Sequence, residues 1–217
     1  MITRAIGRGG NWLLNKIVSG IAASGINPNL LTVLGLVVTA GAAVMFAFGG
    51  SAIIEGRAAE QARWFRWAAV VIFFAGFLDM ADGPVARKLG RVTPFGAFLD
   101  SMLDRYSDMM LYIGLMVFYA IINRFFYVVL TAVAMAGSFM VSYSRARAES
   151  LIPACRVGFM ERPERLVLLI IGGLFNRMDP VLWVIAVLST VTVIHRIVYT
   201  WRETTAGRIL PNGSLPQ

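Results

Sequence analysis

The chain has 217 residues, 58% of them hydrophobic and 15% charged, with a mean hydropathy of +0.70. A soluble domain is nearer to half apolar and about a quarter charged, so a soluble globular fold is excluded and an all-α integral membrane protein is expected. The net charge of +8 is almost all arginine, since Lys16 and Lys88 are the only lysines, and guanidinium forks suit phosphates and anionic head groups.

Residues 1–24 are too interrupted by Arg, Lys, Asn and Gly to span a bilayer. Trp12, Leu13, Leu14, Ile17 and Ile21 recur near helical spacing, so an interfacial amphipathic helix is expected there. No short apolar core with a small-residue cleavage site marks a signal peptide. Pro28, within "INPNLLT", breaks the chain and opens the next helix. A spanning helix needs about 20 mainly apolar residues. Six such spans are expected, over about 30–49, 65–85, 95–122, 125–144, a short one from about 165, and 180–200. The chain thus reads as one domain over 1–217: the amphipathic helix, a six-helix transmembrane bundle over 30–200, and a cytoplasmic tail over 201–217.

Six spans put both termini on one side. Arg57, Arg63, Arg66, Arg124 and Arg177 then fall on the other side, and the remaining 15 of the 20 Lys and Arg on the side of the termini. The excess of positive charge makes the side of the termini cytoplasmic. A cell-membrane protein with its polar chemistry facing the cytoplasm is expected, with no nucleic acid among its partners.

Four aspartates stand out at that face, in "DMADGPVARKLGRVTPFGAFLDSMLD". Asp79 and Asp82 are three apart at the end of one apolar stretch, and Asp100 and Asp104 four apart at the start of the next. Each spacing puts both carboxylates on one helical face, and a short turn makes the two helices antiparallel neighbours. Clustered carboxylates need a positive partner. With one cysteine (Cys155) and one histidine (His195), any metal must be held by oxygen, which points to Mg²⁺ or Mn²⁺. Four carboxylates can hold two such ions, a pair suited to phosphoryl transfer. Gly83 and Gly96 allow close approach, and Arg87 lies within reach of a phosphate at the metals. The other readings of intramembrane carboxylates are a cation pathway and ordinary helix caps; clustering at one depth disfavours the pathway.

The stretch also resembles a known signature. Asp79, Asp82, Gly83, Ala86, Arg87, Gly96, Asp100 and Asp104 match D-x2-D-G-x2-A-R-x8-G-x3-D-x3-D of the CDP-alcohol phosphotransferases without a gap. The resemblance implies an N-terminal amphipathic helix and six transmembrane helices, a homodimer, and two divalent ions at Asp79, Asp82, Asp100 and Asp104. It implies Asp104 as general base, and a CDP-lipid held at Asn27, Pro28, Asn29, Leu30, Gly83, Arg87 and Thr93.

Beyond the fourth span, "SYSRARAES" and "GFMERPERL" gather Arg145, Arg147, Arg162 and Arg165, with Arg196 late in the sixth. Converging arginines are the expected receptor for an acceptor phosphate, although part of this charge follows from the positive-inside rule. These segments look like the phosphatidylinositol-phosphate synthases and their archaeal-lipid relatives in that family. This likeness implies CDP-diacylglycerol as donor and inositol phosphate as acceptor, gripped by Arg145, Arg165 and Arg196 with Ser142 and Arg147 nearby. Arg145 stands where the bacterial enzymes usually carry lysine. A sister enzyme using glycerol phosphate stays open as an alternative, and a cation transporter as a remote one.

Overall fold

The computed structural model describes residues 18–20 and 27–205, which are helical apart from short connections. Most of the amphipathic helix expected over 1–24 and most of the tail expected over 201–217 lie outside the described residues. Residues 18–20 are helical, with Val18 buried against Leu31, Ala81 and Val85, and Lys88 Nζ donates to Ser19 Oγ at 2.6 Å.

Six longer helices follow: α1 Pro28–Ile54, α2 Ala58–Lys88, α3 Pro94–Ile121, α4 Phe125–Ala148, α5 Arg162–Leu174 and α6 Met178–Thr205. Their starts are legible chemistry. Asn27 caps α1 by accepting from the Asn29 backbone N–H at 3.0 Å, and Thr93 caps α3 by accepting from that of Gly96 at 3.0 Å. A proline follows each cap, where its missing N–H costs nothing. Gly90, at φ 63°, ends α2: its N–H donates to Arg87 and that of Arg91 to Ala86, the paired bonds of a left-handed helix stop. The turn this makes returns α3 alongside α2.

The helices overrun the expected spans. α2 begins at Ala58 rather than 65, because "AAEQARW" is strongly helix-forming although too polar for the membrane interior. α5 includes Arg162, Pro163 and Glu164 in its first turn.

Among the described residues, four helices, α1, α2, α4 and α6, are long and apolar enough to cross a membrane. α3 has the length but carries Asp100, Asp104, Arg105 and Asp108 in its first half. α5, with 13 residues, extends only about 20 Å at 1.5 Å per residue. The chain is a multi-pass membrane protein.

α1 packs on α2 and α3, α4 on α3 and α6, and α5 on α2 and α6. The core carries Phe46, Phe65, Ile72, Leu111, Leu115, Phe118, Leu169, Leu182 and Ile185. Its aromatic rings stack edge to face, with Phe65 4.7 Å from Phe118 and 5.0 Å from Phe46. α1 and α3 touch backbone to backbone at Gly114, where a β-carbon would meet the Ala43 carbonyl oxygen at 2.3 Å. Large apolar side chains such as Val37, Phe73, Phe74, Phe98 and Phe126 point outward, as a lipid-facing surface requires.

Candidate active site

The ends of α2 and α4, the last part of α6 and the starts of α3 and α5 bring the polar residues together at one end of the bundle. Asp79 and Asp82, one turn apart on α2, face Asp100 in the second turn of α3. Each offers a carboxylate oxygen, and the three oxygens lie within 4.8 Å of one another. This all-carboxylate set fits a hard divalent cation such as Mg²⁺ or Mn²⁺. Thr32 of α1 donates its hydroxyl to Asp82 Oδ2 at 2.9 Å, which orients a carboxylate that is only 7% exposed.

Asp104 lies one turn further into α3, beside Arg162 at the start of α5. Arg162 Nη1 donates to Asp79 Oδ2 at 2.6 Å and stands 2.7 Å from Asp104 Oδ1. The second approach is an ion pair without hydrogen-bond geometry, and buried Asp104 Oδ1 accepts no hydrogen bond among the described residues. Another turn on, Asp108 Oδ2 accepts from Arg165 Nη2 at 2.6 Å, and Asp108 Oδ1 from Arg162 Nε at 3.4 Å.

Two cavities flank the carboxylates, and Asp100 is in the wall of both. One, of about 290 Å³, is lined by Pro28, Asn29, Thr32, Asp82, Gly83, Arg87, Arg91, Thr93 and Gly96. It brings together five of the seven residues expected at a CDP-lipid. Asn27 is instead engaged as the α1 cap, and Leu30 is exposed beside it. The cavity is kept open by a residue without a side chain: a β-carbon at Gly96 would lie 3.3 Å from Asn29 Oδ1 and 3.0 Å from Thr93 Oγ1.

The other cavity, of about 240 Å³, is lined by Asp100, Asp104, Asp108, Ser142, Arg145, Glu161, Arg162, Arg165 and Arg196. Arg165 and Arg196 are 2% and 1% exposed, so neither is a surface charge obeying the positive-inside rule. Arg196 is fixed by donating Nε to the Val157 carbonyl at 2.9 Å and Nη1 to that of Val141. Arg165 donates Nη1 to the Met160 carbonyl at 3.4 Å, while its buried Nε has no hydrogen-bond partner among the described residues. Arg147 does not join this group. It donates to Ser150 Oγ at 3.2 Å and lines a separate, mostly apolar groove with Tyr143 and Trp201.

Sequence reasoning did not place Thr32 or Asp108 in the site, and it gathered Arg162 with the acceptor arginines rather than against the aspartates. Asp108 had a signal, since it continues the four-residue step from Asp100 and Asp104 along one face of α3. Thr32 and Arg162 are 50 and 83 residues from the aspartates they bind, and nothing local in the sequence announces such pairings.

A helical membrane bundle in which carboxylates fit for a divalent cation lie beside two cavities, one of them rich in arginine, points to a metal-dependent enzyme of phosphate-bearing substrates. The CDP-alcohol phosphatidyltransferase pattern matches residues 26–200, and the chain belongs to that family. It is 34% identical over 185 residues to the archaetidylinositol phosphate synthase of Pyrococcus horikoshii, covering 85% of this chain and 88% of that one. It is 35% identical over 208 residues to the phosphatidylinositol phosphate synthase of Streptomyces avermitilis, covering 88% and 79%. Among solved structures it resembles the phosphatidylinositol phosphate synthase of Mycobacterium tuberculosis with CDP-DAG bound. The TM-score is 0.74 at 29% identity, over 87% of this chain and 93% of that one. A structure of that enzyme with manganese and citrate matches at a TM-score of 0.73 and 29% identity, over 87% and 88%.

Proposed function

We propose that the protein transfers a phosphatidyl group from CDP-diacylglycerol to a hydroxyl of inositol phosphate, giving phosphatidylinositol phosphate and CMP. The observation that carries this is the position of Asp100 in the wall of both cavities. A nucleotide-linked donor and a phosphorylated acceptor, one on each side, would meet at the carboxylates. The relatives' names support the acceptor: the archaeal and bacterial enzymes differ in the lipid they are named for and share inositol phosphate. The solved neighbour with CDP-DAG supports the donor.

The chain's own groups suit the chemistry. Asn29, Thr93 and the open face at Gly96 accommodate the nucleotide, and Arg87 meets the pyrophosphate. Asp79, Asp82 and Asp100 would hold divalent cation, which would supply charge neutralisation at the pyrophosphate and Lewis-acid activation of the phosphorus on the lipid side. Asp104 takes the proton as the acceptor oxygen forms its bond to that phosphorus, and the bond to the bridging oxygen of CMP breaks. Arg165 and Arg196 grip the acceptor's own phosphate, which is not transferred, and so orient its hydroxyl toward Asp104. All six helices cross the bilayer in this reading, with α3 keeping its acidic turns at the membrane edge. The arginine bias supports a cytoplasmic active site, and the family resemblance supports a homodimer.

The test is CMP release by purified protein with CDP-diacylglycerol and Mg²⁺, offered inositol phosphate, inositol or glycerol 3-phosphate, with Asp104→Asn as blank. Release only with inositol phosphate is expected. Release with glycerol phosphate instead would keep the metal chemistry and discard this acceptor.

A further inference from the structure

The arginine cavity contains an anion of its own. A single oxygen of Glu161, Oε1, accepts from Arg145 Nη1 and from Arg196 Nη2, both at 3.1 Å. These are long for charge-assisted bonds, which run about 2.7–2.9 Å. Glu161 is the residue before α5, its backbone is extended (φ −88°, ψ −176°), and its side chain makes no capping hydrogen bond. Nothing described ties its carboxylate in place other than the two arginines, and it is 42% exposed, so releasing it toward water carries little desolvation cost.

The arginines do not depend on it. Arg196 is anchored by the Val157 and Val141 carbonyls, and Arg145 donates Nε to Glu149 at 3.1 Å. The Arg196 guanidinium therefore keeps its position when Glu161 leaves, and Arg145 keeps Glu149 as a partner. A carboxylate that bridges two independently anchored arginines inside an anion cavity is a competitor for them, not their support.

We propose that Glu161 is a displaceable internal anion: it yields the arginines to the acceptor's phosphate on entry and takes them back as the phosphorylated product leaves. This rests on the reading of the cavity as the acceptor-phosphate site. The phosphate there is not consumed, so the same arginines that capture the acceptor also hold the product head group. A phosphate monoester carries about −1.5 to −2 charges at neutral pH against one on Glu161, so it wins the exchange. The returning carboxylate offsets the cost of leaving Arg196 without a charged partner, which speeds product release.

The test uses full-length enzyme with CDP-diacylglycerol, Mg²⁺ and inositol phosphate. Glu161→Gln is expected to lower the acceptor KM about fivefold, the scale of half-exposed ion pairs. It is expected to lower kcat by a similar factor and to produce a burst of CMP before the steady state. The inhibition constant of inorganic phosphate should fall with KM. Glu161→Asp, with its carboxylate drawn back by one methylene, should shift KM the same way by a smaller factor, and serves as the test if glutamine prevents folding. An unchanged or higher KM, with wild type still selective for inositol phosphate, overturns the role of Glu161 alone. A lower KM at unchanged kcat overturns the part in product release. Equal wild-type turnover of inositol and inositol phosphate overturns the acceptor assignment, and this proposal with it.

Discussion

Asp108 Oδ2 receives Arg165 Nη2 at 2.6 Å, and both side chains are buried. The other oxygen of the same carboxylate faces Arg162 Nε at 3.4 Å, and Arg162 in turn reaches Asp79 and Asp104. Asp108 thus ties an arginine beside the carboxylate site to an arginine of the anion cavity, although it was not among the residues expected at the site.

Removing its charge tests that link. Asp108→Asn leaves a buried guanidinium without its counter-charge, a change that typically costs about 3–5 kcal/mol in a well-packed interior. The expected result is a marked drop in the thermal midpoint in detergent, together with an acceptor KM raised by more than about tenfold. Asp108→Glu should recover part of the stability and less of the KM, because the longer arm keeps the charge and moves Arg165.

Thr32 reports on the metal site without changing its ligand count. Thr32→Val keeps the shape of the side chain and deletes the hydroxyl donated to Asp82 Oδ2. Hydrogen bonds to charged groups contribute about 1.5–3 kcal/mol, and partners that orient metal ligands are each worth roughly 10–100-fold in affinity. The Mg²⁺ dependence of CMP release should move to higher concentration by about tenfold or more, with activity restored at saturating metal. Asp82→Asn should not be rescued this way. A metal dependence identical to wild type in Thr32→Val would show that the bond does not orient the ligand.

Gly114 reports on the bundle itself. A β-carbon there would lie 2.3 Å from the Ala43 carbonyl oxygen, an atom with no freedom to move aside. Gly114→Ala must push α1 away from α3, and overpacking of this kind costs about 1–3 kcal/mol. The thermal midpoint should fall by several degrees, whereas the same change at Gly41, where nothing lies within 4 Å of the added carbon, should be neutral or mildly stabilising.

The helical membrane character and the clustering of Asp79, Asp82 and Asp100 were legible because both are local in sequence. Apolar blocks of about 20 residues announce spanning helices, and Asp79, Asp82, Asp100 and Asp104 lie within 26 residues across one tight turn. Helix ends were less legible, since "AAEQARW" extends α2 beyond its apolar part and hydropathy does not register helix propensity. The anion cavity was legible only in composition. Arg145, Arg165 and Arg196 converge on it, but Arg147, two residues from Arg145, lies in another groove. Adjacent i and i+2 positions point about 200° apart around a helix, so a run of arginines cannot all serve one site.

That geometry separates Arg147 from the other arginines in function. Arg147→Ala removes a side chain that bonds to Ser150 and lines the groove at Tyr143 and Trp201. Its effect on the acceptor KM should be below about twofold, as for surface charges generally. Arg165→Ala should raise the same KM by at least about tenfold, given that hydrogen bonds between charged groups contribute about 1.5–3 kcal/mol. Equal effects of the two substitutions would mean that the likeness to the family describes the site better than the structure does.

The strongest test of a two-cavity site is a separation of the two substrates' kinetics. Gly96 borders only the first cavity, and a methyl there would crowd Thr93 Oγ1 and Asn29 Oδ1 at 3.0 and 3.3 Å. Gly96→Ala should therefore raise KM for the CDP-lipid several-fold and leave the acceptor KM near its wild-type value. Arg165→Lys keeps the charge and loses the planar fork, so it should raise the acceptor KM and leave that of the CDP-lipid. Asp100, in the wall of both, should respond differently from either: Asp100→Asn weakens the metal site between the substrates and should depress kcat with both saturating. If Gly96→Ala and Arg165→Lys each raised both constants equally, the cavities would not be independent subsites, and the position of Asp100 between them would lose its meaning.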